Sequence, residues 1–436
     1  MSAPSEGRGQ VPLRWHASPA LRTFALLAVV AFGFALLTDK ASLIVFAAPA
    51  LGALAAAGRT GRPAKVLSMT AALSETRCFE RDILVLRVDV RLPAASADVD
   101  VRPVLPYGLV VDAEPKVETR PGHITFEWDV RVHRWGTYQP SVQVTCGVHA
   151  GMLLAVAQVE LAGLRVFPRP TELARMPIPA DLPNRVGLHV SSRAGAGTEF
   201  AGIRTYTSGD QLRQVNWKAS ARHGQLLVNQ RLPDQAADVV AMIDAYADVG
   251  PIGTSSLDLS VHGASDLAQA ALRNGDRAGL VVLGGLIQWL PAELGSRQFY
   301  RIVELVLDAR DEDFDLEPNL DRIPRGALPQ RAVVIVFSPL VDARTVGVLR
   351  DLRARGRSVV VVDVLSGEPA VNAGSEQADL ALRMWRIERR GIWILLADLG
   401  IPVVRWERGL TLEAVLGPIS QRRMARRSGA FSGVSS

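Results

Sequence analysis

The sequence predicts an α/β plus all-β architecture: an N-terminal apolar helical pair, then an antiparallel β-sandwich, then a doubly wound parallel sheet. Three observations predict it. Two uncharged runs lie near the start, a period-two stretch follows from about Val66 to Phe167, and from Asp238 short apolar runs alternate with helical patterns. The chain has 436 residues, enough for two or three domains, and 48% of them are hydrophobic. That fraction and the positive mean hydropathy of +0.16 exceed what a plain soluble chain needs.

The first apolar run extends from Thr23 to Leu37 and the second from Ala41 to Gly58, with only Thr38, Asp39 and Lys40 between them. As a helix, each run with its flanks covers roughly 26 Å, the short end of a bilayer span. Arg8, Arg14 and Arg22 precede the first run, and Arg59, Arg62 and Lys65 follow the second. By the positive-inside rule both flanks then belong in the cytoplasm. Residues 1–19 read as a cytoplasmic N-terminus and 20–61 as a two-helix transmembrane hairpin in the cell membrane, which leaves the bulk of the chain cytoplasmic. The alternatives are a cleaved signal peptide ending near Ala55-Ala-Ala-Gly58 and a buried soluble pair of helices.

Residues 62–168 read as a β-sandwich. Ile83–Leu92, Ile124–Val132 and Val142–Thr145 alternate apolar with polar residues, and Pro93, Pro106-Tyr-Gly108 and Pro121-Gly122 break them with turns. Trp128 and Trp135 fit core packing better than a ligand platform. Cys78 and Cys146 have no zinc-like spacing, which excludes a disulfide scaffold and a structural zinc site. No phosphate-loop motif occurs, and Phe200 stands where a dinucleotide fingerprint needs its third glycine.

A proline-rich linker from Phe167 to Pro183 leads into a stretch dense in charge and glycine, so that 169–236 forms a linker and signature segment. Residues 237–410 then read as an α/β domain. Its strands are Val239–Ile243, Ala278–Leu283, Ala332–Phe337, Ser358–Val362 and Ile401–Trp406; its helices are Ala264–Arg273, 297–308 and Asp342–Arg355. Continuous apolar strands alternating with helices imply a parallel sheet covered on both faces. Leu380–Leu396 carries Arg383, Arg386, Glu388, Arg389 and Arg390 and reads as a covering helix, not a third span. Residues 411–436 read as a basic tail.

The signature segment holds Gly187, His189, Ser191, Arg193, Gly195, Gly197, Glu199, Phe200, Gly202, Arg204, Tyr206, Gly209, Asp210, Arg213, Trp217, Ser220, Ala221, Arg222, Gly224 and Leu226, with Val215 at an isoleucine position. In these residues and spacings it resembles the DUF58 family. The resemblance implies that a von Willebrand factor A-like domain follows. It also implies a MoxR-type AAA+ ATPase as partner, in the assembly or maturation of an unknown client protein.

The chemical site of A-like domains is a D-x-S-x-S loop that holds Mg²⁺ through hydroxyls and carboxylates. Here that loop is Asp244-Ala-Tyr246-Ala-Asp248, and Ser338-Pro339 follows the later strand. Both serine positions are lost, so the loop reads as a degenerate site, and no cofactor is expected. Asp244 and Asp248 are the candidates for a cation held through water, which would make the chain a Mg-dependent ligand-binding domain. In the signature, Arg193, Gly195, Gly197, Glu199, Arg204, Tyr206, Gly209 and Asp210 are expected to be structural. Arg213, Lys218 and Arg222, grouped around Trp217, are expected to form a protein-binding surface that pairs with acidic groups. The competing possibility is that Glu199 and Asp210 pair with these arginines and join the two domains. An enzyme would draw on His189, Ser191, Ser192, Glu199 and Asp210, which match no triad order. The formal charge of +5 is mild, and the tail Arg422–Arg427 fits solvent or lipid, so nucleic acid is not expected. The expected function is a membrane-anchored, non-catalytic scaffold or adaptor.

Overall fold

The computed structural model describes residues 7–39, 41–59, 65–92, 98–148, 151–171, 199–206, 215–232, 237–285, 287–307, 320, 323–324, 327–330, 332–365, 367–369, 376–407 and 409–421. The chain divides into two compact units, Met1–Phe167 and Pro168–Ser436.

In the first unit the alternating pattern yields antiparallel sheets. β1 (Gly7–Pro12), β3 (Val66–Leu73), β5 (Ile83–Arg91), β9 (His123–Val132) and β7 (Leu109–Val111) lie side by side in that order, with β8 (Lys116–Arg120) also on β9. A second sheet runs β2 (Trp15–Ala17), β12 (Leu153–Glu160), β11 (Ser141–Val148), β6 (Asp98–Val104). A third, small sheet orders β10 (Gly136–Tyr138), β13 (Leu164–Phe167) and β4 (Arg77–Phe79). Every second residue of β5, from Leu84 to Val90, is buried, as a half-solvated strand requires. Those residues join Leu67, Val130, Val144 and Leu164 in one core. Trp128 and Trp135 are buried, and Trp128 stacks on Phe126 at 5.7 Å between ring centroids. Cys78 and Cys146 are free and buried, and burial pushes the Cys146 thiol up to about 11, which makes it a poor nucleophile.

Residues 1–19, read as a separate N-terminus, supply two strands of this unit. β1 pairs antiparallel with β3, placing Pro12 opposite Val66, and β2 pairs with β12. Between β2 and β3 lies α1 (Pro19–Leu37), capped by Ser18, whose side chain accepts from the Leu21 amide at 3.1 Å, with Pro19 in the first turn. It is 19 residues long, apolar enough to cross a membrane, and exposes Leu26, Val29, Phe32, Phe34 and Leu36. The second apolar run does not form one matching helix. Ala41–Ala47 is a 3₁₀ turn and Ala48–Arg59 a shorter helix, α2, so by length and composition α1 alone among the described helices is a candidate span.

In the second unit, β14 (Glu199–Thr205) and β15 (Leu227–Leu232) form an antiparallel pair with a bulge between Phe200 and Gly202. Between them lies the short helix α3 (Trp217–His223). A six-stranded sheet follows, in the order β18 (Gln288–Glu293), β17 (Arg277–Leu283), β16 (Asp238–Asp244), β19 (Val333–Ser338), β20 (Ser358–Asp363), β21 (Val403–Arg405). All pairings are parallel except that of the edge strand β18, which the sequence reading missed, so the sheet is mixed. α4 (Ser256–Arg273) begins eight residues before the expected Ala264, because Ser255 and Asp258 form a capping box. Gly263 on α4 lies so close to the sheet that a Cβ there would come within 2.4 Å of the Phe337 ring and 2.6 Å of Trp406. α6 (Ala343–Ala354) and α7 (Glu376–Asp398) cover the other face, where Val348, Leu349, Leu352 and Leu396 meet Met242, Val334, Val336 and Val361. α5 (Ser296–Val306) follows β18. Residues Leu412–Gln421, read as tail, form α8 and bury Leu412, Val415 and Leu416; Arg422–Arg427 lies outside the described residues.

Candidate functional site

From β16 the chain passes first to β17 on one side and later to β19 on the other, so the strand order reverses between β16 and β19. At such a switch point the carboxyl ends of parallel strands diverge and leave a crevice where ligands bind. Asp244, Ser338 and Asp363 end the adjacent strands β16, β19 and β20, and the register sets Ser338 opposite Asp363.

Here the crevice is filled by side chains. Asp244 is fully buried; the Ser338 hydroxyl donates to its Oδ2 at 2.6 Å, the Thr345 hydroxyl to the same oxygen at 2.8 Å, and the Tyr246 amide to its Oδ1 at 3.1 Å. Burial pushes the Asp244 carboxyl above its ordinary range, against the pull of those three bonds. The Leu340 amide donates to Ser338 Oγ at 2.8 Å, which helps hold Leu340 at φ 51°, a left-handed conformation unfavourable for a leucine. Tyr246, two residues after Asp244, is buried, with the Arg344 guanidinium 4.3 Å above its ring; burial pushes its phenol up to about 12. Arg344 is held in turn by Asp342, Nη2 to Oδ2 at 2.7 Å, and that guanidinium keeps the Asp342 carboxyl below its usual range.

Beside this cluster, Arg389 reaches in from α7. Its Nη2 donates to Asp363 Oδ1, and its Nη1 donates to the carbonyls of Pro339 and Leu340, the latter at 2.9 Å. Asp363 is buried and Arg389 mostly so, and burial raises the Asp363 carboxyl and lowers the Arg389 guanidinium from their ordinary values. Asp248 does another job: its Oδ1 accepts the Leu257 amide at 3.0 Å and so caps the start of α4. Among the described residues no group of three or more His, Cys, Asp or Glu side chains is placed to hold a metal. A Mg²⁺ ion needs about six oxygens near 2.1 Å, and here the hydroxyl donors already point their protons at Asp244.

Of the signature residues, Arg193, Gly195, Gly197, Gly209, Asp210 and Arg213 lie outside the described residues. Glu199 and Arg204 lie on β14, opposite Leu232 and Val228. Tyr206 follows the strand, its amide donating to the Leu226 carbonyl at 2.8 Å. α3 is shaped locally: the Asn216 side chain accepts the Ala219 amide at 3.0 Å, and Gly224 ends the helix at φ 67°. Ser220 is buried and bonds the Leu227 amide at 2.9 Å, tying the helix to β15. Trp217, Lys218 and Arg222 are left exposed, with Lys218 and Arg222 one turn apart on one face.

Residues 202–399 match a family model described as "Protein of unknown function DUF58". Over these residues the chain is similar to the DUF58 family. Uncharacterized protein Rv1480 of Mycobacterium tuberculosis is 25% identical over 182 residues, 41% of this chain and 51% of that protein. Uncharacterized protein YeaD of Bacillus subtilis is 25% identical over 99 residues, 23% of each chain. The chain thus spans about half the length, or less, of the curated relatives it matches. The DUF58 match runs from β14 through the switch point to the end of α7, so it contains both α3 and the Asp244 cluster.

Sequence reasoning missed Thr345, Asp363 and Arg389. Asp363 had a usable signal, an acid closing a run of four valines, whereas Asp244 was singled out by the resemblance to the D-x-S-x-S loop. Arg389 had none, since its neighbours Arg386 and Arg390 carry the same charge on the exposed side.

Another buried acid, Asp266, lies on α4. Asp266 accepts the Thr171 amide at 2.6 Å, and burial, outweighing that bond and His262, pushes its carboxyl up to about 6 from 3.8. A carboxyl raised by folding favours the folded state while protonated, and that advantage is lost as pH rises from 3.8 to about 6. Asp266→Asn keeps an acceptor for Thr171 and removes the charge. It is expected to raise stability at pH 7 by about 2–3 kcal/mol and to flatten the stability difference between pH 4 and 6, read from thermal melts across pH.

Proposed function

We propose that the chain is a membrane-anchored, non-catalytic scaffold or adaptor that engages a protein at the α3 surface of its signature segment and whose A-like α/β domain holds neither metal nor substrate at its switch point. The observation that carries this reading is the filled crevice: Asp244 is committed to Ser338, Thr345 and Tyr246, and Asp248 to the cap of α4. The exposed Trp217, Lys218 and Arg222 support the other half, because an aromatic residue beside cations is the composition of a protein-binding hot spot for an acidic surface. Family resemblance suggests a MoxR-type AAA+ ATPase as that partner.

The strand pairing supports a two-span anchor. β1 and β2 precede α1, β3 follows α2, and all three belong to one sandwich, so both flanks of the apolar excursion lie on the same side of any bilayer. A chain that enters through α1 must therefore return, and the 3₁₀ turn plus α2 reaches about 32 Å, enough to do so. The basic flanks support a cytoplasmic location for the folded units.

A crosslinking pull-down from native membranes tests the reading. Lys218→Glu/Arg222→Glu is expected to lose the AAA+ ATPase that the unaltered chain recovers, at an unchanged melting temperature. Equal recovery from both would refute it, and a phosphatase reporter active after Ser436 would refute the cytoplasmic placement.

A further inference from the structure

One face of α7 is exposed and apolar. Leu380, Met384, Ile387 and Ile394 are 60%, 63%, 72% and 55% exposed, and Gly391 between them has nothing within 4 Å of where a Cβ would sit. Their spacing, four, three, four and three residues, is the a/d repeat of a coiled coil, with Met384 and Gly391 at a and Leu380, Ile387 and Ile394 at d. Scattered exposed leucines are ordinary, but a continuous heptad seam is not. The seam faces away from the sheet, since Ile392, Trp393 and Leu396 turn the opposite side of α7 into the core. No nucleation cost opposes its use, because the domain already holds the helix in place.

The flanking charges identify the occupant. Arg383 precedes an a position and Glu388 follows a d position, both exposed and five residues apart. In a parallel, in-register pair of α7 helices the residue before a on one helix meets the residue after the next d on the other, so Arg383 faces Glu388 of the second copy, twice by symmetry. An antiparallel pair would set Arg383 against Arg390, like against like. An anionic bilayer is a poor match, because Glu376, Asp379, Glu388 and Asp398 balance Arg383, Arg386, Arg389 and Arg390 along the helix.

We infer that α7 is a homodimerisation helix, pairing in parallel with α7 of a second copy of this chain through Leu380, Met384, Ile387, Gly391 and Ile394, in a register set by Arg383 and Glu388. The full-length chain carrying Met384→Cys, oxidised in native membranes, is expected to form a disulfide-linked homodimer, since facing a positions come within bonding range. The native cysteines are buried and do not interfere. Adding Arg383→Glu or Glu388→Arg alone should weaken dimerisation about ten-fold, as two attractions become repulsions, and adding both should restore it. Melting temperatures that match the unaltered chain show that each variant is folded. The inference is overturned if Met384→Cys gives no homodimer, if it links to a different protein instead, if the single charge reversals leave the homodimer unchanged, or if the double reversal fails to restore it.

Discussion

Arg389→Ala is expected to destabilise the α/β domain by about 3–5 kcal/mol, the largest effect of any single substitution at the sheet's carboxyl edge. Asp363 is buried, its carboxylate faces the Arg389 guanidinium, and the only other donor to it among the described residues is the Leu365 amide at 3.1 Å. Truncation strands that acid and also frees the carbonyls of Pro339 and Leu340 at a turn already held in a left-handed conformation. Arg390→Ala, one residue on and exposed, should change stability by less than about 0.5 kcal/mol. The double substitution Arg389→Ala/Asp363→Ala should be less destabilised than the sum of its parts, because no unpaired charge is left behind. Chemical denaturation of the detergent-solubilised chain measures these three and Asp363→Ala alone. A loss below about 1 kcal/mol for Arg389→Ala would show that the pair is dispensable.

Asp244→Ala is the second large effect, expected at about 3–4 kcal/mol. It leaves the Ser338 and Thr345 hydroxyls, both buried, without the oxygen they share, and it opens a void at the switch point. Asp244→Asn should lose less than half as much. The amide keeps the size and an acceptor, the hydroxyls can rotate, and burial already disfavours the charge that is removed. Equal losses for Ala and Asn would mean that the carboxylate charge, not the hydrogen-bond frame, holds the site.

What the sequence disclosed follows from which signals are periodic. The alternation in β5 and β9 and the continuous apolar runs of β16, β19 and β20 mark buried faces directly, so these strands were legible to within a residue or two. The edge strand β18 was not, because Gln288-Trp-Leu-Pro-Ala-Glu293 is only half-buried and carries a proline, which an edge tolerates. The contribution of Gly7–Pro12 to the sandwich was equally hidden, since its partner β3 lies beyond the whole apolar excursion. At the site, Asp244 was singled out through the resemblance to a D-x-S-x-S loop, and its fate was not legible. Whether it meets a metal or a pair of hydroxyls depends on Thr345, 101 residues away in sequence. The exposure of Trp217, Lys218 and Arg222 follows from one buried neighbour, Ser220, which fixes the rotation of α3.

Titration of Mg²⁺ or Mn²⁺ into the full-length chain by calorimetry tests most directly whether this switch point is closed by its own side chains. The expected result is no saturable heat up to millimolar metal, and the same melting temperature with metal as with chelator. Saturable binding that Asp244→Asn abolishes would contradict that closure, because the ion could enter only by displacing the Ser338 and Thr345 hydrogen bonds that fill the crevice.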